Sequence, residues 1–212
     1  MGAKILSPVL ILIACALWGL VHSWLASLQA KELARKLLGV NVMERFYRLA
    51  YNIFSVFSFL PVVALPVLLP DQLLYRIHLP WLLLTFAIQG LAALIIFIGI
   101  MHTGPLDFAG FRQLFHLPDD RPSGLVIHGL YRYVRHPLYA AGIVFLWLSP
   151  QMSINLIALF IGLTAYLVIG AMFEERKLVH QYGQDYLDYR RKTPMLIPGI
   201  SIPRLAGRKN KV

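Results

Sequence analysis

Long runs without charge divide the chain into apolar segments separated by polar connections. Residues 5–30, 49–70 and 79–101 contain no Asp, Glu, Lys or Arg. Each matches the roughly 20 apolar residues a helix needs to cross the hydrocarbon core of a bilayer. A secretory signal is the competing reading of the first run, favoured by Lys4 and the small residues Ala26 and Ser27. The apolar core of a signal is about 7–15 residues long, and this run is longer, so a retained span is expected. Pro61 and Pro66 fall inside the second run and are expected to bend it.

Residues 137–173 form a longer run of 37 uncharged positions. As one helix it would reach about 55 Å, against about 30 Å of hydrocarbon. Ser149-Pro150-Gln151-Met152-Ser153-Ile154-Asn155 supplies a break, so the run reads as a helical hairpin. Its first arm opens with Pro137, at a helix-start position where the missing N–H costs nothing. The pattern predicts an all-α integral membrane protein of five transmembrane helices, the last two forming the hairpin. A single domain over 1–212 follows. It divides into three N-terminal spans (1–101), a polar loop, hairpin and C-terminal helix (102–198), and a basic tail (199–212) lying against lipid headgroups.

Composition agrees with a bilayer as solvent. Hydrophobic residues make up 58% and charged residues 14% of the 212 positions, with a mean hydropathy of +0.65. Soluble domains average about 25% charge. The net charge of +10 would suggest nucleic acid in a soluble protein. Its distribution points elsewhere. Eighteen of the twenty basic residues fall in alternate connections, around 31–48, 102–136 and from 176 onward. By the positive-inside rule the N-terminus is then outside and the C-terminus cytoplasmic, as in a bacterial inner membrane. Cys15 is the only cysteine, which excludes an intrachain disulfide and any multi-cysteine zinc site. The histidines lack metal-ligand spacing, so no metal is expected. No nucleic-acid role is expected either.

The connection at 101–136 holds four of the seven histidines, His102, His116, His128 and His136. It leads into His128-Gly129-Leu130-Tyr131-Arg132-Tyr133-Val134-Arg135-His136-Pro137-Leu138-Tyr139 at the start of the hairpin. A helix N-terminus offers free N–H groups and a positive dipole to an anion. Arg135 adds a forked cation suited to a carboxylate or phosphate. Interfacial anchoring by basic and aromatic residues is the alternative. The hairpin's far end carries Glu174-Glu175, and its two outer ends return to one membrane face. Arg135 and His136 should therefore neighbour the glutamates. They form either an ion pair or a zwitterion pocket, whose glutamates would hold an ammonium or a ribose diol.

The segment 129–139, then Glu174-Glu175, then Tyr182-Gly183, Tyr186, Tyr189 and Pro198, resembles the isoprenylcysteine carboxyl methyltransferase superfamily, which includes phospholipid methyltransferases. The resemblance covers about 124–198, over a third of the chain. Upstream, His22-Ser23, Tyr47-Arg48-Leu49, Tyr51-Asn52, Asp107-Phe108, Gly110 and Arg112-Gln113 look like a bacterial branch of methanethiol S-methyltransferases and proteins once linked to denitrification. The resemblance implies a membrane enzyme using S-adenosylmethionine at the cytoplasmic face. Carried over, His128, Gly129, Leu130, Tyr131, Arg135, His136, Pro137, Tyr139, Glu174 and Glu175 would hold the cofactor. Tyr131, Tyr133 and Tyr139 offer ring faces or hydroxyls to its sulfonium. No G-x-G-x-x-G and no strand–helix alternation occurs, so a Rossmann cofactor domain is unsupported.

Methyl transfer needs the nucleophile, methyl and leaving sulfur held in line, with water excluded. A carboxylate acceptor needs no base, whereas a thiol reacts as its thiolate. For an amine, His102 or His116 could serve as base. His22 is a polar ring inside the first span, either packed with a hydrogen bond or lining a substrate cavity. Asp107, Arg112 and Gln113 could cover that cavity from the cytoplasmic side or form a loop-ordering ion pair. The expected acceptor is small and apolar or lipid-like, first a thiol such as methanethiol, second a prenylcysteine or phospholipid. The rival readings are a sterol-reductase-like protein using NADPH and a non-catalytic membrane partner.

Overall fold

The computed structural model describes residues 2–115 and 124–199. Helix α1 (Gly2–Ala26) breaks at Ser27, whose hydroxyl accepts from the Ala30 amide and caps α2 (Leu28–Leu38). Gly39, at φ +83°, ends α2, and its amide donates to Arg35 O at 3.0 Å. That conformation is costly for residues with a Cβ, and it lets α3 (Val40–Leu68) start at once in a new direction. Pro61 and Pro66 each remove one helical hydrogen bond, yet α3 continues through both as one helix. A short strand, β1 (Leu73–Arg76), precedes α4 (Trp81–Thr103). Two short helices follow, α5 (Pro105–Ala109) and α6 (Phe111–Leu114). Beyond the residues not described come a 3₁₀ turn (Gly129–Arg132), α7 (Pro137–Trp147), β2 (Gln151–Ser153) and α8 (Ile154–Lys192).

Helices α1, α3, α4 and α8 are long and apolar enough to cross a membrane. Helix α7, the element that answers to the fifth predicted crossing, has only 11 residues. It rises about 16 Å, roughly half a hydrocarbon thickness. The outward faces are apolar, with Leu20 68%, Phe57 67% and Leu83 65% exposed. Surface of that kind is stable against lipid tails and not against water.

The buried centre lies where α1 crosses α8 and α3. Ile11 and Cys15 pack there with Val62, Met152, Ala158, Leu159 and Phe160. Cys15 is thus a core residue. Gly162 permits the approach, since a Cβ on it would stand 2.7 Å from Cys15 Cβ. Helix α4 packs along α7, and there Gly99 lies under the Leu138 side chain.

The one departure from an all-helical reading among the described residues is a two-stranded antiparallel ribbon. It pairs Leu73 with Ser153, Tyr75 with Met152 and Arg76 with Gln151. Four and three residues are too short to show the alternating periodicity that announces strands. The ribbon is fastened by Asn155, which is fully buried and whose Nδ2 donates to Leu69 O and Pro70 O. Asp71 Oδ1 accepts from the Asn155 amide at 3.1 Å, and Ser153 Oγ caps the first turn of α8. The α3–α4 connection is therefore tied to the start of α8.

Candidate functional site

At the opposite end of these helices, 133–136 runs beside the segment that follows α8. The Arg135 amide donates to Pro194 O at 2.9 Å and the His136 amide to Met195 O at 3.1 Å. Pro137 then starts α7. The uncharged part of α8 ends at Phe173, and Glu174 and Glu175 follow in its polar extension. Gly183, at φ +54°, kinks that extension and turns 184–192 back over the site.

Arg135 and Glu175 form a buried clamp. The glutamate's Oε1 takes Nε of Arg135 at 2.6 Å and Nη2 at 2.5 Å, and both side chains are only 8% exposed. Nη1 of Arg135 donates to the carbonyls of Arg190 and Thr193. Arg190 Nε reaches Glu175 Oε2 at 3.4 Å, and His136 Nε2 lies 3.5 Å from Oε1. Burial alone would raise the Glu175 pKa. The neighbouring His136, Arg135 and Arg190 outweigh it and hold the carboxyl below the usual glutamate range. Three basic side chains from two segments thus converge on one carboxylate.

Glu174, one residue earlier, faces differently. Its side chain is 48% exposed, accepts from Tyr139 Oη at 3.0 Å, and lies 3.6 Å from His136 Nδ1. The His136 and Tyr139 rings stack nearly parallel, with centroids 5.4 Å apart. Tyr189 Oη donates to Tyr131 O at 2.6 Å and holds the 3₁₀ turn against α8. The Tyr131 hydroxyl is pushed above its ordinary pKa by burial and by the charge of Glu174, so it stays a neutral donor.

Between these groups lies a cavity of about 460 Å³. Arg48 of α3, Ile100 of α4, Tyr131, Arg135, His136, Pro137, Tyr139, Glu174, Tyr182, Tyr186 and Tyr189 line it. Of the residues singled out from sequence, Tyr131, Arg135, His136, Pro137, Tyr139 and Glu174 therefore meet on one cavity, with Glu175 behind it. Arg135 directs its donors to Glu175 and two carbonyls. His128 and Gly129 are exposed at the turn, Leu130 beside them. His102 lies in the last turn of α4, and His116 lies outside the described residues. Arg112 and Gln113 sit on α6 against the start of α3 and are not among the cavity's walls. Gly110 brings them there, because at φ +92° it lies close against the backbone of Arg48 and Leu49.

His22 also lies away from that wall. It bonds Tyr51 Oη through Nε2 at 2.5 Å and stacks on Trp18 with centroids 4.8 Å apart. Arg48, Tyr182, Tyr186 and Tyr189 also line the cavity, although the sequence marks them only as part of the family resemblance. A stripe at i, i+4 and i+7 could have found the three tyrosines, although Gly183 interrupts its regularity.

The family model described as "Protein of unknown function (DUF1295)" matches residues 2–193, from the start of α1 through the end of α8. The chain belongs to the DUF1295 family. This DUF1295 member is 38% identical over 92 residues to a methanethiol S-methyltransferase of Mycobacterium tuberculosis, covering 42% of the chain and 38% of the relative. It is 34% identical over 123 residues to methanethiol S-methyltransferase 2 of Bradyrhizobium diazoefficiens, covering 57% and 47%. Against a methanethiol S-methyltransferase of Crocosphaera subtropica it is 30% identical over 118 residues, covering 54% and 46%. The match spans less than half the length of each of these relatives. No solved structure matches.

Proposed function

We propose that this DUF1295 protein is an integral membrane methyltransferase that uses S-adenosylmethionine and methylates a small thiol or a lipid-like acceptor. The observation that carries the reading is the cavity at the N-terminus of α7, where one open carboxylate, Glu174, stands among tyrosine rings. The names of its relatives support methyl transfer over an NADPH-dependent reductase.

The residues fit such a cofactor. The cavity of about 460 Å³ is in the range of small-molecule sites, roughly 300–1,000 Å³. Glu174 suits an ammonium or a ribose diol. The first-turn amides of α7, which a helix leaves without intrahelical partners, suit a carboxylate. Tyr131 and Tyr139 offer rings and neutral hydroxyls beside a sulfonium. Arg135 and Glu175 hold these groups in place from behind. When bound, S-adenosylmethionine supplies a methyl group already activated by its sulfonium. The protein's own task is to align the acceptor and keep water out.

We further infer a single domain of five crossings in a bacterial inner membrane, with the N-terminus outside, the C-terminus cytoplasmic and the cavity facing the cytoplasm. The two fastened ends support this. The ribbon joins the end of α3 to the start of α8, and the Arg135–Glu175 clamp joins the start of α7 to the extension of α8. Alternation of α1, α3, α4, α7 and α8 between two faces satisfies both. The basic residues follow the same alternation. A cysteine placed at Gln184 is expected to label only from the cytoplasmic side in spheroplasts, and labelling from outside would reverse the orientation.

The activity is tested with protein purified in detergent. S-adenosylmethionine should bind, NADPH should not, and label should pass from methyl-labelled cofactor to an alkanethiol. Absence of binding at millimolar S-adenosylmethionine would sink the proposal.

A further inference from the structure

On the membrane side of the cavity lies a polar pair that the cavity itself does not use. Tyr51 is three residues beyond Arg48 on α3, one turn further along the same face. Tyr166 is eight residues before Glu174 on α8, about 12 Å along the helix. Its ring packs against Trp18 of α1, with centroids 5.1 Å apart. Tyr51 in turn bonds His22 Nε2 at 2.5 Å. The His22 ring is walled by Trp18, stacked at 4.8 Å, and by the edge of Tyr166 at 5.7 Å. Its second nitrogen, Nδ1, is buried and has no hydrogen-bond partner among the described residues.

A buried polar atom left without a partner costs about 1–3 kcal/mol and calls for an explanation. Packing alone would place an apolar residue here. Trp18 shows that polar atoms in this layer otherwise find partners, since its Nε1 donates to Ser58 Oγ at 3.1 Å. In the tautomer that donates Nε2–H to Tyr51 Oη, Nδ1 presents a bare lone pair among aromatic rings. The complementary ligand carries one weakly acidic hydrogen on a soft, apolar body. A thiol has that chemistry, and sulfur packs favourably against aromatic edges. An unperturbed thiol, with a pKa near 8.5, is mostly protonated at neutral pH and needs a base.

We propose that the His22–Tyr51 pair binds a small uncharged thiol acceptor, with His22 Nδ1 taking its proton. This rests on the methyltransferase reading of the adjoining cavity. The S–H bond breaks and its proton passes to Nδ1. A sulfur electron pair forms the new S–C bond to the sulfonium methyl, and the old C–S bond breaks with its electrons going to the cofactor sulfur. The products are a thioether, S-adenosylhomocysteine and an imidazolium that later gives its proton to water. Tyr51 is a positioning residue. It holds the ring through Nε2 and accepts from Nε2–H when the ring is charged.

Two acceptors of different acidity separate a base from a packing residue. With ethanethiol, His22→Gln should lower kcat by roughly 100-fold or more, the scale of general-base catalysis. With benzenethiol, already ionised at neutral pH, the same variant should lose less than about threefold on that scale. Tyr51→Phe, which keeps the ring packing, should show the same contrast at smaller size. Both variants should bind S-adenosylmethionine like the wild type. Equal losses on the two thiols, or no loss on either, would overturn the role of the pair. A wild type that binds S-adenosylmethionine but methylates only amines or carboxylates would overturn it too. A wild type that binds no S-adenosylmethionine refutes the reading of the cavity instead.

Discussion

Arg135→Ala is expected to abolish measurable S-adenosylmethionine binding and to lower the melting temperature of the detergent-solubilised protein. The guanidinium joins Glu175 and the carbonyls of Arg190 and Thr193. Its removal leaves the Glu175 carboxylate buried with only the longer contacts to His136 and Arg190. Breaking a buried pair in this way costs about 3–5 kcal/mol. The segment before α7 and the kinked end of α8 would then separate, and the cavity between them would lose its shape. Arg135→Lys should rescue little, because a single ammonium cannot reproduce the fork that serves a carboxylate and two carbonyls together. Glu175 is held below the ordinary glutamate range, so the clamp contributes fully above about pH 4.3. Its contribution is lost only as pH falls through the lowered value. Thermal melts at neutral pH and binding isotherms check the prediction. A variant that binds normally would show that the clamp does not shape the cavity.

Glu174→Gln should do the reverse, reducing cofactor affinity by roughly 10- to 100-fold, the scale of a lost charge-assisted contact, while leaving the melting temperature unchanged. This carboxylate is half exposed, and among the described residues it accepts from Tyr139 Oη and lies 3.6 Å from His136 Nδ1. Little of the fold depends on it, and its side chain lines the cavity. Tyr139→Phe should give a smaller loss, and the double variant should fall short of the sum, since the two side chains share one bond. Isothermal calorimetry with S-adenosylmethionine reads all three. Wild-type affinity in Glu174→Gln would remove this residue from the binding surface. The opposite behaviour of neighbours is the point: Glu175 supports, and Glu174 receives.

Much of this arrangement is legible in the sequence. Uncharged runs mark α1, α3 and α4 because a bilayer-facing helix is apolar on every side. The interruption between α7 and α8 is legible from Pro150 and its polar neighbours. The meeting of Arg135 with Glu175 follows from the return of two helix ends to one face. What is not legible depends on a few residues in long-range contact. The ribbon rests on seven strand residues and the buried Asn155, too few for any period. The inward aim of Arg135 depends on carbonyls of 190 and 193, over fifty residues away. The tyrosines of the α8 extension look like an exposed polar face until Gly183 turns them over the cavity. His22 is visible as an oddity within a span, but its partner Tyr51 lies 29 residues on and carries no local mark.

The ribbon also sets depth. Strand pairing is quantised, and the smallest slip that keeps each side chain on its face is two residues, about 6.8 Å. The β1–β2 register therefore fixes how far α8 and α3 extend past one another, measured from a common zero at Asn155. Twenty residues of α8 beyond that zero bring Glu175 to the height where Arg48 enters the wall of the cavity. A gauge at one end of the helices so determines the alignment of the chemistry at the other. One step along it would carry Glu174 and Tyr139 together past Arg48 and open the wall that α3 contributes to the cavity.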